Sequence, residues 1–119
     1  MYTGIDHVQI AAPKGSENTC REFFSEILGM REIPKPENLR KRGGVWFQCG
    51  AHELHVGVQD PFKPAVKAHP AFSVDNIDKP KERLREFDIN IIDGEPLEGA
   101  DRFYIHDPFG NRLEFLQRH

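Results

Sequence analysis

Apolar and polar residues alternate over residues 5–12: Val8 and Ile10 mark one face, His7, Gln9 and Ala11 the other. That two-residue period predicts a half-buried strand. Pro13-Lys14-Gly15 breaks it, and Ser16 is placed to cap a helix. Cys20, Phe23, Phe24 and Ile27 then recur at helical spacing, with Gly29 where a helix-ending glycine belongs. The pattern predicts a short strand over 31–34 and a loop over 35–43. It predicts two further strands over 45–49 and 52–58, joined by a Gly50-Ala51 turn. Residues 60–67, with Pro61 and Pro64, read as a linker.

The pattern then restarts. A strand is predicted over 69–74, with Pro70, Phe72 and Val74 on one face and His69, Ala71 and Ser73 on the other. Asp75 or Asn76 caps a second helix whose apolar stripe is Ile77, Leu84 and Phe87, with Pro80 tolerated in its first turn. Short strands are expected over 89–92, 101–106 and 112–117, with a loop over 93–99. In the closing stretch DPFGNRLEFL, Asp107-Pro108 opens a turn, and Gly110-Asn111, both tolerant of positive φ, closes it. Leu113 and Phe115 then alternate with Arg112, Glu114 and Leu116.

The order β-α-β-β-β therefore occurs twice, an internal repeat that places His7 on His69, Ile10 on Phe72 and Ala12 on Val74. The predicted fold is α+β, one domain over 1–119, with module one over 4–59, a linker over 60–67 and module two over 68–119. Two such modules would enclose a cleft between their bare sheet faces.

Hairpin pairing assigns side chains to faces, since directly opposed residues share one. Around Gly50-Ala51, Gln48 opposes Glu53, Phe47 opposes Leu54 and Trp46 opposes His55. Val45, Phe47, Leu54 and Val56 are then the face under the helix, and Trp46, Gln48, Glu53 and His55 face the cleft. In the second hairpin, pairing Ile105 with Leu113 and Phe103 with Phe115 keeps the apolar residues together. Tyr104 then opposes Glu114, with Arg102 and His106 on the same face. His7, His55, His69 and Glu114 emerge as four metal-type ligands at pseudo-equivalent positions, two from each repeat.

Composition narrows the classes. The chain has 119 residues, 38% hydrophobic and 29% charged, enough for a core without disulfides or structural metals. A net charge of −3, with no basic run longer than Arg40-Lys41-Arg42, argues against nucleic acid as a partner. No apolar run approaches the ~20 residues that span a bilayer. The opening MYTGIDHVQI lacks the features of a secretion signal, and Cys20 and Cys49 form no CxxC pattern. The expectation is a cytoplasmic protein with reduced thiols.

The stretches GIDHVQIAAP, EILGM, GGVWFQCGAHELHVGV, HPAFSVDNID and DPFGNRLEFL, taken in this order, resemble the vicinal oxygen chelate superfamily. That group includes glyoxalase I, extradiol dioxygenases, fosfomycin-resistance transferases and bleomycin-binding proteins. The resemblance covers residues 4–117 and implies paired βαβββ modules with one divalent metal ion, Zn, Ni, Mn or Fe(II). It places metal ligands at His7, His69 and Glu114. At the fourth position, where glyoxalase-type members often carry Glu, this chain offers His55, or Glu53 two residues away. The implied chemistry is bidentate oxygen chelation of a small molecule, giving glyoxalase-like isomerase or lyase chemistry through an enediolate. In that chemistry Glu114 doubles as a base; from their places on the cleft face, Tyr104 and Arg102 are candidates to orient substrate or supply a proton, and Trp46 and Gln9 to contact it. Extradiol-type dioxygenase chemistry with Fe(II) and metal-free antibiotic sequestration are the alternatives. Fosfomycin transfer fits poorly, because Glu98-Gly99-Ala100-Asp101 stands where that group has a Ser-rich potassium loop. A homodimer is implied, since family members often pair modules across two chains.

Overall fold

The computed structural model describes residues 1–119. It divides into two compact units, Met1–Pro64 and Ala65–His119. Each unit is one βαβββ module, so the fold is α+β.

In the first unit, β1 (His7–Ala12), β2 (Arg31–Ile33), β3 (Val45–Cys49) and β4 (His52–Val58) form one sheet in the order β1-β4-β3-β2. β1 runs parallel to β4, and the other pairs are antiparallel. Helix α1 (Glu17–Cys20) continues as a π-helical segment, Arg21–Ile27. There Leu28 N–H donates to the Phe23 carbonyl five residues back. Gly29, at φ 80°, ends the helix as its position predicts. Cys20, Phe23 and Phe24 bury against Val45, Phe47, Leu54 and Val56 of the sheet, with the Phe24 and Phe47 rings 5.5 Å apart.

The second unit repeats the plan. β5 (Ala71–Ser73), β6 (Ile92–Asp93), β7 (Ala100–His106) and β8 (Arg112–Arg118) are ordered β5-β8-β7-β6, with β5 parallel to β8. Helix α2 (Asp78–Glu86) buries Leu84, while Ile77 packs just before it. Beneath lie Phe72, Phe103, Ile105, Leu113 and Phe115, with Phe103 and Phe115 stacked at 5.0 Å. No helix is long and apolar enough to cross a membrane.

Both hairpin registers match the pairing drawn from alternation, including Trp46 with His55 and Tyr104 with Glu114. Several local expectations are corrected. The segment Glu37–Arg42, expected as a loop, is a 3-10 helix. Glu37 sits in its first turn and Arg40, Lys41 and Arg42 in its last, the distribution a helix dipole favours. The strand expected over 69–74 narrows to Ala71–Ser73, because Pro70 has no N–H to enter the ladder. Its carbonyl still accepts from Glu114 N–H at 3.1 Å. The strand expected over 89–92 starts later, at Ile92, since Asp88 adopts φ 55° and Ile89 N–H closes back onto Leu84.

Phe87 is 45% exposed rather than part of the apolar stripe, and the Arg83 guanidinium covers its ring at 4.9 Å. Val8 is 38% exposed, because β1 is an edge strand. In the turn before β8 only Gly110 takes positive φ, at 95°. Asn111 works through its side chain instead. Its amide nitrogen donates to Asp107 Oδ2 at 2.8 Å and its oxygen accepts from Ala65 N–H at 3.0 Å.

Candidate functional site

The residues singled out in the second unit come together. The Tyr104–Glu114 register and the Pro70–Glu114 backbone bond bring the strand ends bearing His69, Arg102, Tyr104 and Glu114 side by side. His69 Nε2 lies 2.9 Å from Glu114 Oε1, and Glu114 is only 5% exposed. His69 Nδ1 lies 2.7 Å from the Lys67 carbonyl oxygen. A carbonyl only accepts, so Nδ1 carries a proton, and Nε2 is left to face a carboxylate oxygen. A lone pair facing a carboxylate calls for a cation between them, either a proton on Nε2 or a metal ion. At 2.9 Å the two atoms are at ordinary N–H···O hydrogen-bond distance, and cis ligands about 2.1 Å from one octahedral ion would also lie about 3 Å apart. The other oxygen, Oε2, has Arg102 Nη1 at 3.6 Å. Tyr104 meets the His69 ring edge-on at 5.4 Å and is covered by Arg112 at 4.9 Å.

In the first unit the register sets His7 beside Glu53, and His55 between Gln9 and Trp46. The His55 ring is stacked on both faces, against Trp46 at 3.7 Å and against His7 at 4.1 Å. It is 4% exposed, and its Nε2 lies 2.9 Å from Glu53 Oε1. His7 Nδ1 lies 2.9 Å from Asp6 Oδ1, which leaves Nε2 uncommitted. The Gln9 amide lies over Gly57, where a Cβ would come within 2.9 Å of it.

The donors of each unit are therefore assembled as histidine–carboxylate pairs, and no three His, Cys, Asp or Glu side chains converge as a ready cage. A groove of about 400 Å³ in the first unit shares only Trp46 with the stacked rings. Its cations are tied internally, Arg21 to Glu32 at 2.9 Å and Lys35 to the Gly43 carbonyl.

Sequence reasoning missed the backbone carbonyls of Lys67 and Glu95, which orient His69 and Arg102. Carbonyls carry no residue signal. It also missed Asp6, although an acid beside a candidate histidine is a readable cue. The sequence marks Asp107 only as a turn residue. It is buried, and its Oδ1 accepts from Phe109 and Asn111 N–H at 2.9 and 2.8 Å. Burial pushes its carboxyl up, against the opposing pull of those hydrogen bonds.

A family model described as Glyoxalase/Bleomycin resistance protein/Dioxygenase superfamily matches residues 4–115. Among solved structures, a chain from Bacillus anthracis described as of the glyoxalase family is 52% identical. It aligns over 100% of this chain and 98% of its own, with a TM-score of 0.97. A lactoylglutathione lyase from Agrobacterium tumefaciens is 20% identical over 98% of this chain and 94% of its own, with a TM-score of 0.76. A fosfomycin resistance protein from Listeria monocytogenes is 17% identical over 100% and 96%, with a TM-score of 0.77. These last two share the fold. Comparison with curated protein sequences gives no match.

Proposed function

Because the chain belongs to the Glyoxalase/Bleomycin resistance protein/Dioxygenase superfamily, we propose that it is a divalent-metal-dependent enzyme acting on a small molecule that offers two neighbouring oxygens. The reaction class is isomerase or lyase chemistry. One observation carries the reading: His69 Nε2 and Glu114 Oε1 lie 2.9 Å apart, with the far side of the imidazole already committed to a carbonyl. That pair is suited to hold a cation of the group that superfamily members typically bind.

The ion supplies Lewis acidity toward the chelated oxygens. This chain's residues do the rest. His69 and Glu114 would hold the ion, and His7, with Nε2 uncommitted, is the candidate donor that the first unit offers. At the fourth position Nε2 of His55 bonds Glu53, so either residue is offered as the remaining donor. Glu114 accepts a proton from substrate carbon, Tyr104 orients the substrate beside it, and Arg102, with Nη1 3.6 Å from Glu114 Oε2, orients the carboxylate. Trp46 and Gln9 contact the rest of the substrate. Such a protein works as a homodimer in the cytoplasm, where Cys20 and Cys49 stay reduced.

Metal analysis of the purified protein tests the reading, followed by turnover of a methylglyoxal–thiol adduct, a catechol and an antibiotic. Bound divalent metal with turnover of the adduct supports it. Ring cleavage of the catechol points instead to a dioxygenase, and metal-free antibiotic binding to a sequestration protein.

A further inference from the structure

Glu114 stands in the middle of a chain of polar contacts that begins and ends on backbone carbonyls. Lys67 O holds His69 Nδ1 at 2.7 Å, and His69 Nε2 meets Glu114 Oε1 at 2.9 Å. Glu114 Oε2 then faces Arg102 Nη1 at 3.6 Å. Arg102 Nε and Nη2 both donate to the Glu95 carbonyl, at 3.0 and 2.8 Å. A guanidinium is a rigid planar fork, so fixing two of its nitrogens on one acceptor fixes where the third points. A carboxylate, by contrast, turns easily about its last torsion.

Gly94 is what lets the Glu95 carbonyl come so close. A Cβ at Gly94 would lie 2.6 Å from Tyr104 Cε2 and 3.3 Å from Arg102 Nε. A side chain there meets the Tyr104 ring, so a methyl at this position separates the segment from the ring and draws the carbonyl away from Arg102 unless the ring itself yields. Tyr104 is also the cross-strand partner of Glu114, so the segment rests on the same patch it orients.

We infer that Gly94 and Glu95 form a strap that positions the Glu114 carboxylate through Arg102, reserving Oε2 for Arg102 and presenting Oε1 beside His69 for a ligand. Arg102 is in this account a positioning residue. The inference rests on the reading of His69 and Glu114 as a donor pair.

The test uses Gly94→Ala and Arg102→Lys, with Glu98→Gln as a control in the same loop. Gly94→Ala keeps the Arg102 charge but removes its anchor. Arg102→Lys keeps the charge but cannot span Glu95 and Glu114 together. Two readouts are taken: ring ¹⁵N resonances of His69 in metal-free protein, and calorimetric Mn²⁺ affinity. The strap predicts that both variants move the His69 Nε2 resonance and weaken Mn²⁺ binding about tenfold, as loss of a ligand's orienting partner does, and that Gly94→Ala adds nothing further in the Arg102→Lys background. Additive effects would mean that Gly94 acts through Tyr104, which meets His69 edge-on at 5.4 Å, and would overturn the inference. The control changes neither. If Arg102 acts only through its charge, Gly94→Ala and Arg102→Lys both leave the His69 resonance and the Mn²⁺ affinity unchanged, because each keeps that charge; that result overturns the inference. If the wild-type protein binds no Mn²⁺ while Gly94→Ala still moves His69, the strap stands and the metal reading falls.

Discussion

At the scale of single residues, two buried or tethered carboxylates make opposite demands on the fold. Asp107 is enclosed and depends on its hydrogen bonds. Asn111 supplies two of them, from its backbone and side-chain nitrogens, while its side-chain oxygen also accepts from Ala65 N–H. Replacing Asn111 by Ala leaves the buried Asp107 Oδ2 without its partner, at about 1–3 kcal/mol, and also removes the acceptor of Ala65 N–H. We therefore expect a loss of roughly 2–4 kcal/mol in urea unfolding, more than for Ala at an exposed turn residue. Glu17 is the converse. Its carboxylate accepts the Gly44 N–H at 2.8 Å, and that bond, more than the nearby Arg21 and Lys35, holds its pKa below the usual value of 4.5. A lowered folded value stabilises the protein above the unfolded value, and the effect is lost as pH falls through the folded one. Glu17→Gln should thus unfold earlier than wild type at neutral pH, with the gap closing as pH drops below 4.5. Because Glu17 is only half-buried, the gap is modest and shrinks in salt.

The hairpins were the most legible elements. Alternation in Val45–Cys49 and His52–Val58, and again in Ala100–His106 and Arg112–Arg118, where Leu116 departs from it, favours one register that keeps the apolar residues together. A slip by one residue would turn Phe47 or Phe103 out of the core. That register is what puts Tyr104 opposite Glu114 and Trp46 opposite His55. Less legible were features set by approach between separate segments. The Glu95 carbonyl reaches Arg102 only because a loop with a glycine crosses Tyr104, and nothing in the local spelling of 93–99 announces it. The 3-10 segment Glu37–Arg42 hides in a polar, proline-flanked stretch because its short helix has no apolar face to read. The π-helical widening at Arg21–Ile27 was masked by apolar spacing that suits an α-helix equally well. Since the core of the first unit is built on Phe24 and Phe47, Phe47→Ala should cost about 3–5 kcal/mol. An exposed change on α2, such as Phe87→Ala, should lie within about 1 kcal/mol, and chemical denaturation of both checks the contrast.

For the molecule as a whole, the βαβββ plan occurs twice in one short chain, and a 52% identical chain from Bacillus anthracis shares the fold along its full length. The duplication explains why chemistry-bearing residues fall at matching positions. The residue beside Gln9 on β4 is His55, and the residue beside Ala71 on β8 is Glu114. Each unit also ties one histidine to one glutamate at 2.9 Å, His55 to Glu53 and His69 to Glu114. The proposal of a homodimer is checked by scattering mass in solution, where twice the 13.7 kDa chain mass is expected. The central claim is that His69 and Glu114 hold a divalent cation, and calorimetric titration of Mn²⁺ into metal-free wild-type, His69→Ala and Glu114→Ala proteins tests it most directly. The account predicts one site in the wild type and at least a hundredfold weaker binding in both folded variants, in keeping with several kcal/mol (about 1.4 kcal/mol per tenfold) for a lost ligand. Equal Mn²⁺ binding by all three proteins, or none by the wild type, would contradict it.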